Sequence, residues 1–218
     1  MAYSDFSISD IRKRFDVEII EDQPLFDQVK PIAPPQWLTD FLEIHVPLAD
    51  AIATEKAKSE FIVAPILSAA RETCHRQISL FSGIEFNVDK EQGLTGRCDY
   101  ILSRGRSQYT LAAPVFALVE TKNDRINAGI GQCMAEMIAA DMFNRQEGND
   151  IDTILGCVTT GDLWRFLKLQ PTSAGSEHDN SDSLNKMRHK RSLLWIDTTQ
   201  YVTAQIEQLL GVLTSTAG

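Results

Sequence analysis

Val115-Phe116-Ala117-Leu118-Val119-Glu120-Thr121-Lys122 decides how this chain is read: five apolar residues in a row end in an acid and a base. The two valines and the phenylalanine favour a strand. Residues two apart on a strand share a face, so Glu120 and Lys122 project together, in line with Leu118 and Phe116. Charges at the end of an otherwise apolar face must be paired or metal-bound if they are buried. An acid-x-Lys tripeptide arises about once by chance in a chain this rich in acids, so its position on the strand carries the reading.

Upstream, Gly96-Arg97-Cys98-Asp99-Tyr100 opens a second strand over 97–102, and a polar tip at Ser103–Ser107 makes a hairpin the simplest connection. Asp99 then stands across the pair from Glu120, close enough for two carboxylates to converge in the right register. Mg²⁺ suits such a pair, because it takes hard oxygen ligands from one or two carboxylates and completes its shell with water and substrate phosphate. Mn²⁺ is the alternative ion, and the backbone carbonyl of Thr121 is a further candidate ligand. The ammonium of Lys122 is placed to orient an attacking water or to stabilise charge on a phosphate under attack. Read blandly, Glu120 and Lys122 form a solvated ion pair at a strand end and Asp99 is a turn or strand-edge aspartate.

Further out, Ile11–Phe15 reads as a capped helix start and Val17–Ile20 as a short strand. Prolines make 21–35 irregular, after which Trp37, Leu38, Phe41, Leu42 and Ile44 have helical spacing up to Pro47. A helix over Leu48–Cys74, bent or divided at Pro65, carries Glu60. Ile84–Val88 alternates like a strand. After Lys122 come a helix over Gly129–Phe143 with Gln132, strands over Ile151–Thr159 and Leu163–Leu169, and a strand at Leu193–Ile196. A final helix spans Thr199–Leu213. The organisation expected is an N-terminal extension, 1–47, packed on a core, 48–218, with a flexible loop at about 170–190.

The chain of 218 residues, 43% hydrophobic, is long enough for one substantial core. No apolar run approaches a membrane span and Met1–Asp10 lacks a secretory pattern, so a cytoplasmic protein away from membranes is expected. Cys74, Cys98, Cys133 and Cys157 are scattered singly and suggest reduced thiols rather than disulfides or zinc. A net charge of −9 disfavours nonspecific attraction to nucleic acid, so DNA contact needs a local basic patch or a partner. Lys186, Arg188, His189, Lys190 and Arg191 form the one dense basic run, and Arg125 follows the lysine of the strand.

From Glu60 to Leu169 the sequence resembles the PD-(D/E)XK nuclease superfamily, through Glu60, Gly96–Tyr100, Glu120-Thr121-Lys122, Gln132 with Glu136, and the strand pair that follows. The resemblance implies an α/β restriction-endonuclease-like fold, a central mixed sheet flanked by helices. It implies Asp99 and Glu120 as metal ligands, Lys122 as the catalytic lysine, Glu60 reaching the metal from the first core helix, and Gln132 facing the site. Cys98 stands where the motif's proline would be. Glu136 stands where some branches carry a tyrosine. Gln132 and Glu60 also have plain readings, as the partner of a buried backbone group and as an exposed helical glutamate.

The expected activity is Mg²⁺-dependent, endonuclease-like hydrolysis of DNA, by a chain that could be a homodimer because cutting both strands needs two sites. Two rivals are a catalytically silent member of the fold acting as a binding module, and a phosphodiesterase acting on something other than a polymer.

Overall fold

The strand Val115–Thr121 (β4) is buried at every position. Its parallel neighbour Ile154–Thr159 (β5) is too. Strands this apolar need both faces covered, and they form the middle of a sheet with helices on each side. Between them the chain crosses over through a long helix, Ile126–Gln146 (α5).

The computed structural model describes residues 1–171 and 191–217. Five strands complete the main sheet: Val17–Ile20 (β1), Ser79–Glu85 (β2), Arg97–Ser103 (β3), Leu163–Gln170 (β6) and Ser192–Ile196 (β7). The order is β1-β7-β6-β5-β4-β3-β2, and a two-residue strand, Tyr201–Val202 (β8), pairs with the start of β6. β1 with β7 and β4 with β5 are parallel and the other pairs are antiparallel, so the sheet is mixed. The chain is thus α/β with a mixed eight-stranded sheet flanked by helices.

One face packs against α5 and the N-terminal segment, where Tyr3 of a 3₁₀ turn, Phe6 just after it and Ile11 of the helix Ile8–Arg14 (α1) join the apolar layer. The other face carries the helices Gln36–Ile52 (α2), Ala64–Thr73 (α4) and Ile206–Thr214 (α6). α5 is apolar nearly all round because it lies between the sheet and that N-terminal segment. Its glycines allow this: a Cβ on Gly131 would sit 2.2 Å from the carbonyl oxygen of Phe6. At the far end of α5, Asn144 acts as a substitute strand, accepting from Val115 N at 2.7 Å and donating to Val115 O at 2.8 Å.

Several boundaries differ from the sequence expectation. α2 runs through Pro47 to Ile52. Pro47 and Glu43 both face solvent, so water can serve the carbonyl that the missing N–H leaves unpaired. The long helix expected after Leu48 is divided at Ala53, whose left-handed φ of 54° ends α2. Thr54 then caps a short helix, Glu55–Lys58 (α3), which passes through a π turn at Ser59–Val63 into α4, with Pro65 at its second position. The strand expected at Ile84–Val88 begins earlier, at Ser79, and ends at Glu85; Phe86 and Val88 only continue with bonds to Gly96 and Leu94. The hairpin connection spans 104–114, longer than expected, and the final helix starts only at Ile206.

Residues 1–47 supply the edge strand β1 and helix α1, and the boundary drawn at residue 47 falls inside α2. Most of the 170–190 loop, with Lys186, Arg188, His189 and Lys190, lies outside the described residues. Arg191 pairs with Asp16 at 2.8 Å. Among the described residues no helix is long and apolar enough to cross a membrane.

Candidate functional site

The β3–β4 ladder pairs Tyr100 with Val119, and the same register puts Asp99 opposite Glu120 on the face covered by α5. Asp99 is the third residue of β3 and Glu120 the last but one of β4. Asp99 does not continue the ladder. Its Oδ2 accepts from Thr121 N at 2.8 Å and from Thr121 Oγ1 at 2.5 Å, so a side chain replaces the backbone acceptor there.

Glu120 is only 2% exposed. Its Oε1 accepts from Lys122 Nζ at 2.5 Å, while its Oε2 is buried and has no partner among the described residues. Burial, then the charge of Asp99, pushes the Glu120 carboxyl up to about 7, against the pull of Lys122. Lys122 is half-buried, and burial works against its charge, but Glu120, Glu55 and Asp99 together raise its pKa above the usual lysine value. It is an ammonium at neutral pH and not a general base.

A second acceptor holds that ammonium: Lys122 Nζ donates to Gln132 Oε1 at 3.1 Å. Gln132 in turn donates through Nε2 to Glu136 Oε1 at 3.0 Å. Glu136, one turn on along α5, is fully buried, and its Oε2 has no partner among the described residues. Burial and the charge of Glu120 raise its pKa well above the carboxylate range. The lysine stem runs past Gly129, where a Cβ would lie 3.1 Å from both Cγ and Cε of Lys122 and 2.8 Å from Val158. The missing side chain at Gly129 is what lets α5 close over the lysine.

Asp99, Glu120, Thr121, Lys122 and Gln132 therefore come together. Glu60 lies on the π turn with its carboxylate in solvent, 2.7 Å from Lys56. The acid of that helical stretch whose charge bears on both Glu120 and Lys122 is Glu55, the first residue of α3. The helix break at Ala53 makes Glu55 the first residue of a new helix. Glu136 is the other addition. Its signal was in the sequence as an acid four residues after Gln132, inside a run of alanines and methionines.

The residues suit a divalent cation. Glu120 keeps a bare buried oxygen beside a second carboxylate, and both supply hard oxygen donors. Among the described residues no three acids, histidines or cysteines assemble into a preformed cage, so an ion here would rest on Asp99 and Glu120 with water and substrate, the mode Mg²⁺ favours. Thr121 has its N–H and hydroxyl turned onto Asp99, leaving its carbonyl as its remaining donor to a metal. Compared with protein-family models and with curated proteins, the sequence matches none.

Proposed function

We propose that this chain hydrolyses phosphodiester bonds of DNA with Mg²⁺ or Mn²⁺, in an endonuclease-like reaction at Asp99, Glu120, Lys122 and Gln132. The observation that carries the reading is the half-buried ammonium of Lys122, held by Glu120 and Gln132 beside a second carboxylate. It is the combination that the resemblance to the PD-(D/E)XK superfamily anticipates.

Lys122 commits two of its three N–H donors to Glu120 Oε1 and Gln132 Oε1. Among the described residues the third has no acceptor, and it is offered to a phosphate oxygen or to the attacking water. Because its charge is stabilised, it offsets negative charge that grows on the phosphate and takes no proton. Asp99 and Glu120 would hold the metal, whose chemistry is to acidify a bound water and neutralise phosphate charge. Glu120 must be ionised to do so, which its raised pKa allows only toward and above neutral pH. Asp99 also fixes Thr121, and so the end of β4 from which Lys122 projects.

A binding module of the same fold is the second reading, favoured by the net charge of −9. One experiment separates the two: the purified chain is incubated with single-stranded, double-stranded and branched DNA and Mg²⁺ or Mn²⁺, beside Lys122→Ala and Asp99→Ala. Cleavage by the wild type that both substitutions abolish supports the nuclease. Binding without cleavage supports the module, and cleavage indifferent to both substitutions removes these residues from the chemistry.

A further inference from the structure

We propose that Glu136 is a positioning residue for Lys122, acting through the side-chain amide of Gln132. The inference rests on the reading of Lys122 as the group that meets the phosphate. An acid at this position asks for an explanation. It is fully buried, on a helix whose neighbouring positions hold Met134, Ala135, Met137 and Ile138. A methionine or leucine would fill the space without the cost of desolvating a carboxyl group. Among the described residues nothing basic touches its carboxyl group, and the one side-chain hydrogen bond it makes there is to Gln132 Nε2, at 3.0 Å.

That bond decides which way Gln132 points. An amide presents an acceptor at one end and donors at the other, and the two ends have nearly the same shape. Lys122 Nζ, 3.1 Å away, can use only the acceptor end. With Glu136 in place, the NH₂ end has its own acceptor on the opposite side and the oxygen is held toward the ammonium. Were residue 136 apolar, the buried NH₂ would lack a partner, and a flip would set donors against the ammonium. Lys122 would then keep Glu120 alone and swing toward it, so its third N–H would lose its aim. A carboxyl group provides the acceptor whether ionised or neutral, since a neutral carboxyl still has its carbonyl oxygen. Gln132 and Glu136 are one turn apart on α5, so the link is held by the helix itself.

The test uses the full chain with ¹⁵N-labelled lysine and follows the Lys122 ammonium resonance, assigned by its absence in Lys122→Ala. The wild type should show a protected ammonium signal. Glu136→Gln keeps an acceptor oxygen and should retain that signal. Glu136→Leu should lose it to exchange with solvent while the remaining lysine signals stay in place. Gln132→Leu should lose the signal likewise, and adding Glu136→Leu to it should change nothing more, because the effect passes through Gln132. If Glu136→Leu does not fold, Glu136→Met gives a flexible apolar replacement and is read the same way.

In the cleavage assay, Glu136→Leu should lower kcat by about 10- to 100-fold with KM for DNA unchanged, and Glu136→Gln should restore it. A folded Leu or Met variant with an undisturbed Lys122 signal overturns the proposal, whatever the assay gives. A signal that responds as expected in a chain that cleaves no DNA upholds the positioning and removes the nuclease reading instead.

Discussion

Asp99 takes both the amide and the hydroxyl of Thr121 on a single oxygen, Oδ2, at 2.8 and 2.5 Å. One carboxylate therefore closes the end of β4 and faces Glu120 as well. These two duties can be separated by substitution. Asp99→Asn keeps an acceptor oxygen for Thr121, whereas Asp99→Ala leaves a buried N–H and hydroxyl short of a partner. Urea denaturation should find the alanine variant less stable by about 1–3 kcal/mol and the asparagine variant close to wild type. Both remove the charge that raises Glu120, so carboxyl NMR should show Glu120 titrating below its value of about 7 in each. Equal stability of all three proteins would remove the closing role.

Gly129 stands where helix propensity and packing disagree. Alanine is the better helix former by roughly 1 kcal/mol. A Cβ there would nonetheless meet Val158 Cγ1 at 2.8 Å and the lysine stem at 3.1 Å. Val158 is a β-branched residue fixed in the fully buried strand β5 and has little room to give. Overpacking of about 1–3 kcal/mol should outweigh the propensity gain. Gly129→Ala is expected to be net destabilising in thermal melts and to shift the Lys122 side-chain resonances. A more stable variant with Lys122 unmoved would show that α5 does not press on the lysine.

What the residue order revealed and what it hid follow from the range of the forces involved. β4, its hairpin partner, α5 and the β5–β6 pair were legible because short apolar runs, strand and helical patterns, with turn residues between them, are local. Glu120 and Lys122 were legible for the same reason, since a strand puts them on one face. Asp99 was placed on the right strand, but its bond to Thr121 depends on where the ladder stops. Glu60 was expected at the metal, yet Ala53 adopts a left-handed backbone that no side chain announces, a new helix starts at Glu55, and it is the charge of Glu55 that bears on Glu120 and Lys122. The pairing of β1 with β7 joins residues 17–20 to 192–195, a separation at which pattern carries no register.

Glu136 gives the stability a pH dependence with a definite sign. Its pKa is raised in the fold, so the folded chain holds a proton that the unfolded chain releases above about 4.3. The unfolded state then binds fewer protons, and stability falls as pH rises from that point toward the folded value. Glu120 acts in the same direction, over a window that closes near about 7. Glu136→Gln cannot ionise and removes its share of the slope. Urea titrations at several pH values between 4 and 8 should show the variant gaining on the wild type as pH rises, by up to about 1.4 kcal/mol per pH unit. A difference that does not change with pH would mean that Glu136 titrates in the fold as it does in the unfolded chain.

Metal binding should carry the opposite sign. Glu120 is protonated over most of the acid range because its pKa lies near about 7, and a protonated carboxyl group is a poor ligand for a hard cation. At pH 8 it is free to bind, and an ion present at ten times its Kd should stabilise the fold by about 1.4 kcal/mol. For a chain of this size that is a rise in Tm of about 3–6 °C. At pH 5.5 the rise should shrink toward nothing, because binding must first displace a proton. Melts with Mg²⁺ and Mn²⁺ at the two pH values, reversed by a chelator, provide the measurement. Asp99→Asn is the control, since it preserves the acceptor for Thr121 and removes one of the two carboxylates. A metal-dependent rise that survives in this variant, or that is as large at pH 5.5 as at pH 8, would place the ion elsewhere on the protein.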